Sequence, residues 1–106
     1  MPKYLFESHY TVDGAKGVAR EGGSARRAAT AKAIESAGGK LESFYFAFGG
    51  VDVFMIVDLP DNVSAAAAAL AGIESGGMTT KTVVLLTPEE MDKAAKKTVA
   101  FRAPGH

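Results

Sequence analysis

Apolar residues fall into short runs separated by pairs of glycine, and the spacing inside each run predicts its element. Lys3 to Val12 carries Tyr4, Leu5, Phe6, Tyr10 and Val12, an aromatic-rich set that favours a strand. Asp13-Gly14 breaks it, and Asp13 is placed to cap a short helix through Arg20. After Gly22-Gly23, Ser24 is placed to cap a second helix running through Ala25, Ala28, Ala29, Ala33 and Ile34 to Ala37. Gly38-Gly39 ends that helix. Its apolar side is almost all alanine, which lets it lie very close to a sheet.

Lys40 to Phe48 and Val51 to Leu59 read as two strands joined by Gly49-Gly50, a strong hairpin signal. Pro60 closes the pair, and Asp61 or Asn62 caps a helix from Val63 to about Glu74. Five consecutive alanines give that helix high propensity, and Gly76-Gly77 stops it. Met78 to Leu86 is a fourth strand. Thr87-Pro88-Glu89-Glu90 has the form of a capping box with proline at the first helical position, opening a helix to about Lys97. The order is β-α-β-β-α-β with a further short helix, an α+β antiparallel design. Residues 1–97 form one domain, and 98–106 read as a tail.

If Gly49 and Gly50 are the whole hairpin loop, Phe48 pairs with Val51, Phe46 with Val53 and Phe44 with Met55. One face then carries Phe44, Phe46, Phe48, Val51, Val53, Met55 and Val57, solidly apolar. The other carries Ser43, Tyr45, Ala47, Asp52, Phe54, Ile56 and Asp58. Two helices cover one face of a four-stranded sheet, so Tyr45, Phe54 and Ile56 need another partner. A second copy of the chain is the simplest one, and Val99 and Phe101 of the tail are spaced to add a strand-like contact.

Composition narrows the function classes. The chain has 106 residues, with 12 Lys+Arg against 12 Asp+Glu. That length suits one domain, expected to bury roughly 65% of its unfolded surface. Balanced charge provides no footprint for nucleic acid or an anionic membrane. With no cysteine, disulfides and thiolate chemistry are excluded, and two histidines far apart make a transition-metal site unexpected. Glu7 falls too early for a signal peptide, and the run Ala65 to Ala71 is too short to span a bilayer, so the cytoplasm is the default address.

The pattern resembles the GYD-domain family, named for a Gly-Tyr-Asp motif at the start of the third strand. The matching stretch is Gly49-Gly50-Val51-Asp52, followed by Val53-Phe54-Met55-Ile56-Val57. Further matches are Tyr10-Thr11 with Gly14, Arg27, Gly38-Gly39-Lys40, Leu59-Pro60-Asp61, and Thr80 to Leu85, together spanning roughly residues 3 to 95. Val51 stands where the family has its tyrosine, so no role of that phenol carries over. The resemblance implies a ferredoxin-like sheet that dimerises into an α/β barrel. It implies no particular reaction.

His9, Tyr45 and Asp52 are the candidate catalytic groups. Glu7 and His9 share a strand face and are able to form an acid–base pair, although a surface or interface histidine is the simpler reading. Asp52 either points a carboxylate into a cavity or accepts backbone amides at the turn. With the first and third strands taken as parallel neighbours, Asp52 would sit near Tyr4 and far from His9. Tyr45 and Phe54 pair across the hairpin with Asp52 diagonal, a trio for ligand binding or for interface packing. Arg26-Arg27 either hold an anion or are solvated. No phosphate-binding or nucleophile-elbow motif is present, and no cofactor is expected. Three functions fit: a homo-oligomer binding a small apolar or aromatic ligand, a cofactor-free oxygenase or isomerase, or a structural or regulatory dimerisation module.

Overall fold

A computed structural model describes residues 1–106. The elements are β1 (Lys3–Tyr10), α1 (Val12–Glu21), α2 (Gly23–Ser36), β2 (Lys40–Phe46), β3 (Val53–Asp58), α3 (Asn62–Glu74), β4 (Met78–Leu85) and α4 (Pro88–Ala95). The four strands form one sheet in the order β2-β3-β1-β4, antiparallel at every junction. This is the expected ferredoxin-like α+β arrangement.

One expectation is overturned here. β1 and β3 run antiparallel, with Ser8 opposite Val53 and Lys3 opposite Asp58. The reason is topological: β3 reverses against β2 through the hairpin, and β2 re-enters parallel to β1 after the helical crossover. Asp52 therefore lies at the His9 and Tyr10 end of β1, not beside Tyr4.

The hairpin ladder keeps the expected pairs Phe44–Met55, Tyr45–Phe54 and Phe46–Val53. It does not close in two residues. The strands stop at Phe46 and restart at Val53, so Phe48 and Val51 lie outside the ladder. The Ala47 amide donates to the Asp52 carbonyl at 2.8 Å, and Gly49 supplies the positive φ, +136°. Asp52 is drawn toward β1, where its amide donates to the Ser8 carbonyl at 2.9 Å, and this widens the loop.

Helix ends follow capping chemistry, with two shifts from expectation. Thr11, not Asp13, caps α1 by accepting from the Gly14 amide at 3.2 Å. Thr11 is also tied to the α3–β4 loop, donating from its amide to the Gly77 carbonyl at 3.0 Å and from its hydroxyl to the Gly76 carbonyl at 2.8 Å. Ser24 lies inside α2, which begins at Gly23 without a side-chain cap. Asp61 caps α3 through the Ser64 amide, and Thr87 with Glu90 forms the reciprocal box that opens α4.

The core is small: Tyr4, Phe6, Ile34, Val53, Met55, Val57, Leu59 and Ala65, with Ser8 the one buried polar residue. Alternation along β1 and β3 sends these strand residues to the face covered by α2 and α3. Leu5, Glu7, His9, Tyr45, Phe54, Ile56 and Val83 fall on the opposite face, with Tyr45 71% exposed. Lys3 bridges Glu42 at 2.7 Å and Asp58 at 2.8 Å on that face, where a shift between Leu41 and Ser43 sets Glu42 out of register.

Residues 88–106 are exposed throughout. The accessible surface is 7359 Å², against about 5,600 Å² for a compact monomer of this mass. The radius of gyration is 16.7 Å, where about 13 Å is expected. The chain thus buries less of itself than its length alone predicts. No helix is long and apolar enough to cross a membrane.

Candidate functional site

The largest hollow lies between the sheet and the two alanine-rich helices. Its volume is about 500 Å³. Phe6, Ser8, Tyr10, Phe44, Val53 and Met55 form its floor, while Ala33 of α2, Ala37 just past its end, and Ala67, Ala68 and Ala71 of α3 form its walls. Helix propensity explains the walls: alanine builds both helices readily but projects only a methyl group toward the sheet. The expectation of a helix pressed on the sheet holds only locally. At Gly23 a Cβ would stand 2.9 Å from the Phe46 ring, whereas the middle of α2 leaves the space open.

Polar groups enter this apolar room at a few points. Ser8 Oγ and Thr80 Oγ1 are 3.1 Å apart and satisfy one another on the floor. Thr30 donates its hydroxyl to the Arg26 carbonyl within α2. At one end stand Tyr10 and Arg26. Arg26 Nε is buried and has no hydrogen-bond partner, and the only ion pair of this guanidinium is with Glu21, at 3.6 Å from Nη1. Burial pushes the Tyr10 phenol above its ordinary pKa near 10, an effect the neighbouring Arg26 charge partly offsets and Asp52 and Glu21 reinforce.

A second hollow of about 180 Å³ adjoins the first and shares Tyr10, Arg26, Ser75 and Met78 with it. Its remaining wall comes from α1 and the α3–β4 loop, including Gly14, Gly17, Glu21 and Gly77. The approach there is tight. A Cβ on Gly14 would stand 1.8 Å from the Gly77 carbonyl oxygen, so only glycine lets α1 dock on this loop.

The sequence-derived candidates occupy different places. His9 lies on the open face opposite Thr79, with Glu7 two residues away and no hydrogen bond joining them. Tyr45 and Phe54 are cross-strand partners on that same open face, away from the large hollow. Asp52 lies against the end of β1 that holds His9, but its carboxylate accepts from the Tyr10 amide at 2.8 Å, the structural role of the two considered for it. Of the two adjacent arginines, Arg26 lines the hollow, while Arg27 is exposed beside Tyr45.

Sequence reasoning missed Tyr10 as a site residue. Two signals pointed to it: a serine and a tyrosine continuing the inward series Tyr4, Phe6, and two facing helices too small in side chain to fill the space. Neither histidine takes part, and no group of three or more His, Asp or Glu side chains is placed to hold a metal ion.

The family model of the GYD domain matches residues 4–95. No curated protein and no solved structure matches the chain.

Proposed function

The chain belongs to the GYD-domain family, and from that premise we propose that it is a self-associating protein that binds a small, mostly apolar molecule between its helices and sheet. The observation that carries this reading is the cavity of about 500 Å³, walled by alanine methyls and floored by Phe6, Phe44, Val53 and Met55. Ligand sites are commonly about 300–1,000 Å³, apolar, with a few placed polar groups. An apolar hollow of this size that opens to water exposes apolar surface to it, and an apolar ligand gains by displacing that water.

Self-association rests on a separate observation. Tyr45, Phe54, Ile56 and Val83 crowd the face that no helix covers, and residues 88–106 lie exposed. A second copy covering that face would remove apolar area worth about 25 cal/mol for each Å².

Native mass spectrometry of the purified protein tests both parts, reporting subunit number and any carried small molecule together. For the cavity, neutral bicyclic aromatic fragments should bind the natural chain and lose affinity in Ala71→Phe, which fills the room from α3. Equal binding to both proteins would place the fragments elsewhere and overturn the assignment.

A further inference from the structure

The end of the cavity is chemically unlike the rest of it. Arg26 Nε is a buried donor without an acceptor, and the Arg26 side chain is only 29% exposed. A guanidinium presents donors in a planar fork that matches the two oxygens of a carboxylate, and charge-assisted bonds of this kind are the strong ones. The charges around it leave that fork available. Glu21 stands 3.6 Å from Nη1, beyond good hydrogen-bond length, and its own side chain is 42% exposed. Asp52 gives its Oδ2 to the Tyr10 amide and forms no ion pair with Arg26. Tyr10 and Arg26 line both hollows, so they stand where the apolar room meets the smaller polar one against α1.

We propose that Arg26 anchors an acidic oxygen of the ligand, so that the bound molecule is an amphipathic acid: an apolar ring or short chain bearing one carboxylate or enolate. The apolar body lies over Phe6, Val53 and Met55, and the acidic end reaches Arg26, with the Tyr10 hydroxyl as a second donor. This rests on the cavity being the binding site. It adds the charge and the polarity of what binds there. Tyr10 remains protonated at neutral pH and so donates to an anion without repelling it.

The test compares 2-naphthoate with its neutral methyl ester by calorimetric titration. The natural chain should bind the acid about ten-fold more tightly than the ester. Arg26→Gln should bring the two affinities together, the acid losing far more than the ester. Arg27→Gln, one residue along and outside the cavity, should keep the full preference. Should Arg26→Gln fail to fold, Arg26→Lys, which keeps the charge and removes the Nε donor, is expected to reduce the same ratio. Equal binding of acid and ester to the natural chain, or a preference that survives the Arg26 substitutions, overturns the anchor and leaves the cavity reading standing. Absence of binding by both compounds overturns the cavity reading and this inference with it.

Discussion

Asp52 and Tyr10 are joined through the backbone: Asp52 Oδ2 accepts from the Tyr10 amide at 2.8 Å. With the Asp52 amide donating to the Ser8 carbonyl, this residue ties the β2–β3 loop to the last turn of β1. The acidic member of the Gly-Gly-Val-Asp stretch is thereby a clamp. It fixes the strand end from which Tyr10 enters the cavity.

Removing that clamp has a definite cost. Asp52→Ala should destabilise by about 1.5–3 kcal/mol, the range for a hydrogen bond to a charged group, and Asp52→Asn by less because an amide oxygen still accepts. Urea unfolding measures both. Faster hydrogen exchange at the Tyr10 amide in Asp52→Ala would locate the effect, and unchanged exchange there would refute the clamp.

Two glycines in α1 should behave oppositely. Gly14→Ala drives a methyl into the Gly77 carbonyl and should cost about 2 kcal/mol or more by overpacking against backbone. Gly17 has open space around its Cβ position, so Gly17→Ala should stabilise by about 0.5–1 kcal/mol through helix propensity. Thermal melts of the two variants read the contrast, and a matching loss in both would contradict the docking geometry.

Alkaline stability should depend on Tyr10. Its folded pKa is raised, chiefly by burial, so the folded state holds this proton more tightly than the unfolded chain does. The stabilising contribution is therefore complete below the unfolded value near 10 and disappears as pH rises through the folded one. Unfolding free energy measured from pH 9 upward should fall less steeply in Tyr10→Phe than in the natural chain. Parallel curves would show that the phenol is not held in an apolar site.

Self-association should fail when the open face is charged. Phe54→Asp places a carboxylate between Tyr45 and Glu7 on the open face and should shift the protein to monomer, while the cavity on the other face keeps its fragment affinity. Light scattering reports the mass. A natural chain that is monomeric at high micromolar concentration would refute the second-copy reading.

Local chemistry alone determined much of this molecule. The element order, the ends set by glycine pairs, the Asp61 cap, the Thr87–Glu90 box and the Phe44–Met55 ladder register all follow from short-range rules acting within a few residues. The inward series Tyr4, Phe6, Ser8, Tyr10 also follows, since alternation along a strand needs no knowledge of its neighbours. Strand direction and the cavity were decided only in three dimensions. That β1 lies antiparallel to β3 depends on how the crossover returns, and this alone brings Asp52 to Tyr10. The room itself belongs to no residue. It arises because two alanine-rich helices, separated in the chain by the β2–β3 hairpin, meet the sheet with too little side chain to fill the space, leaving Arg26 Nε buried at its end without a partner.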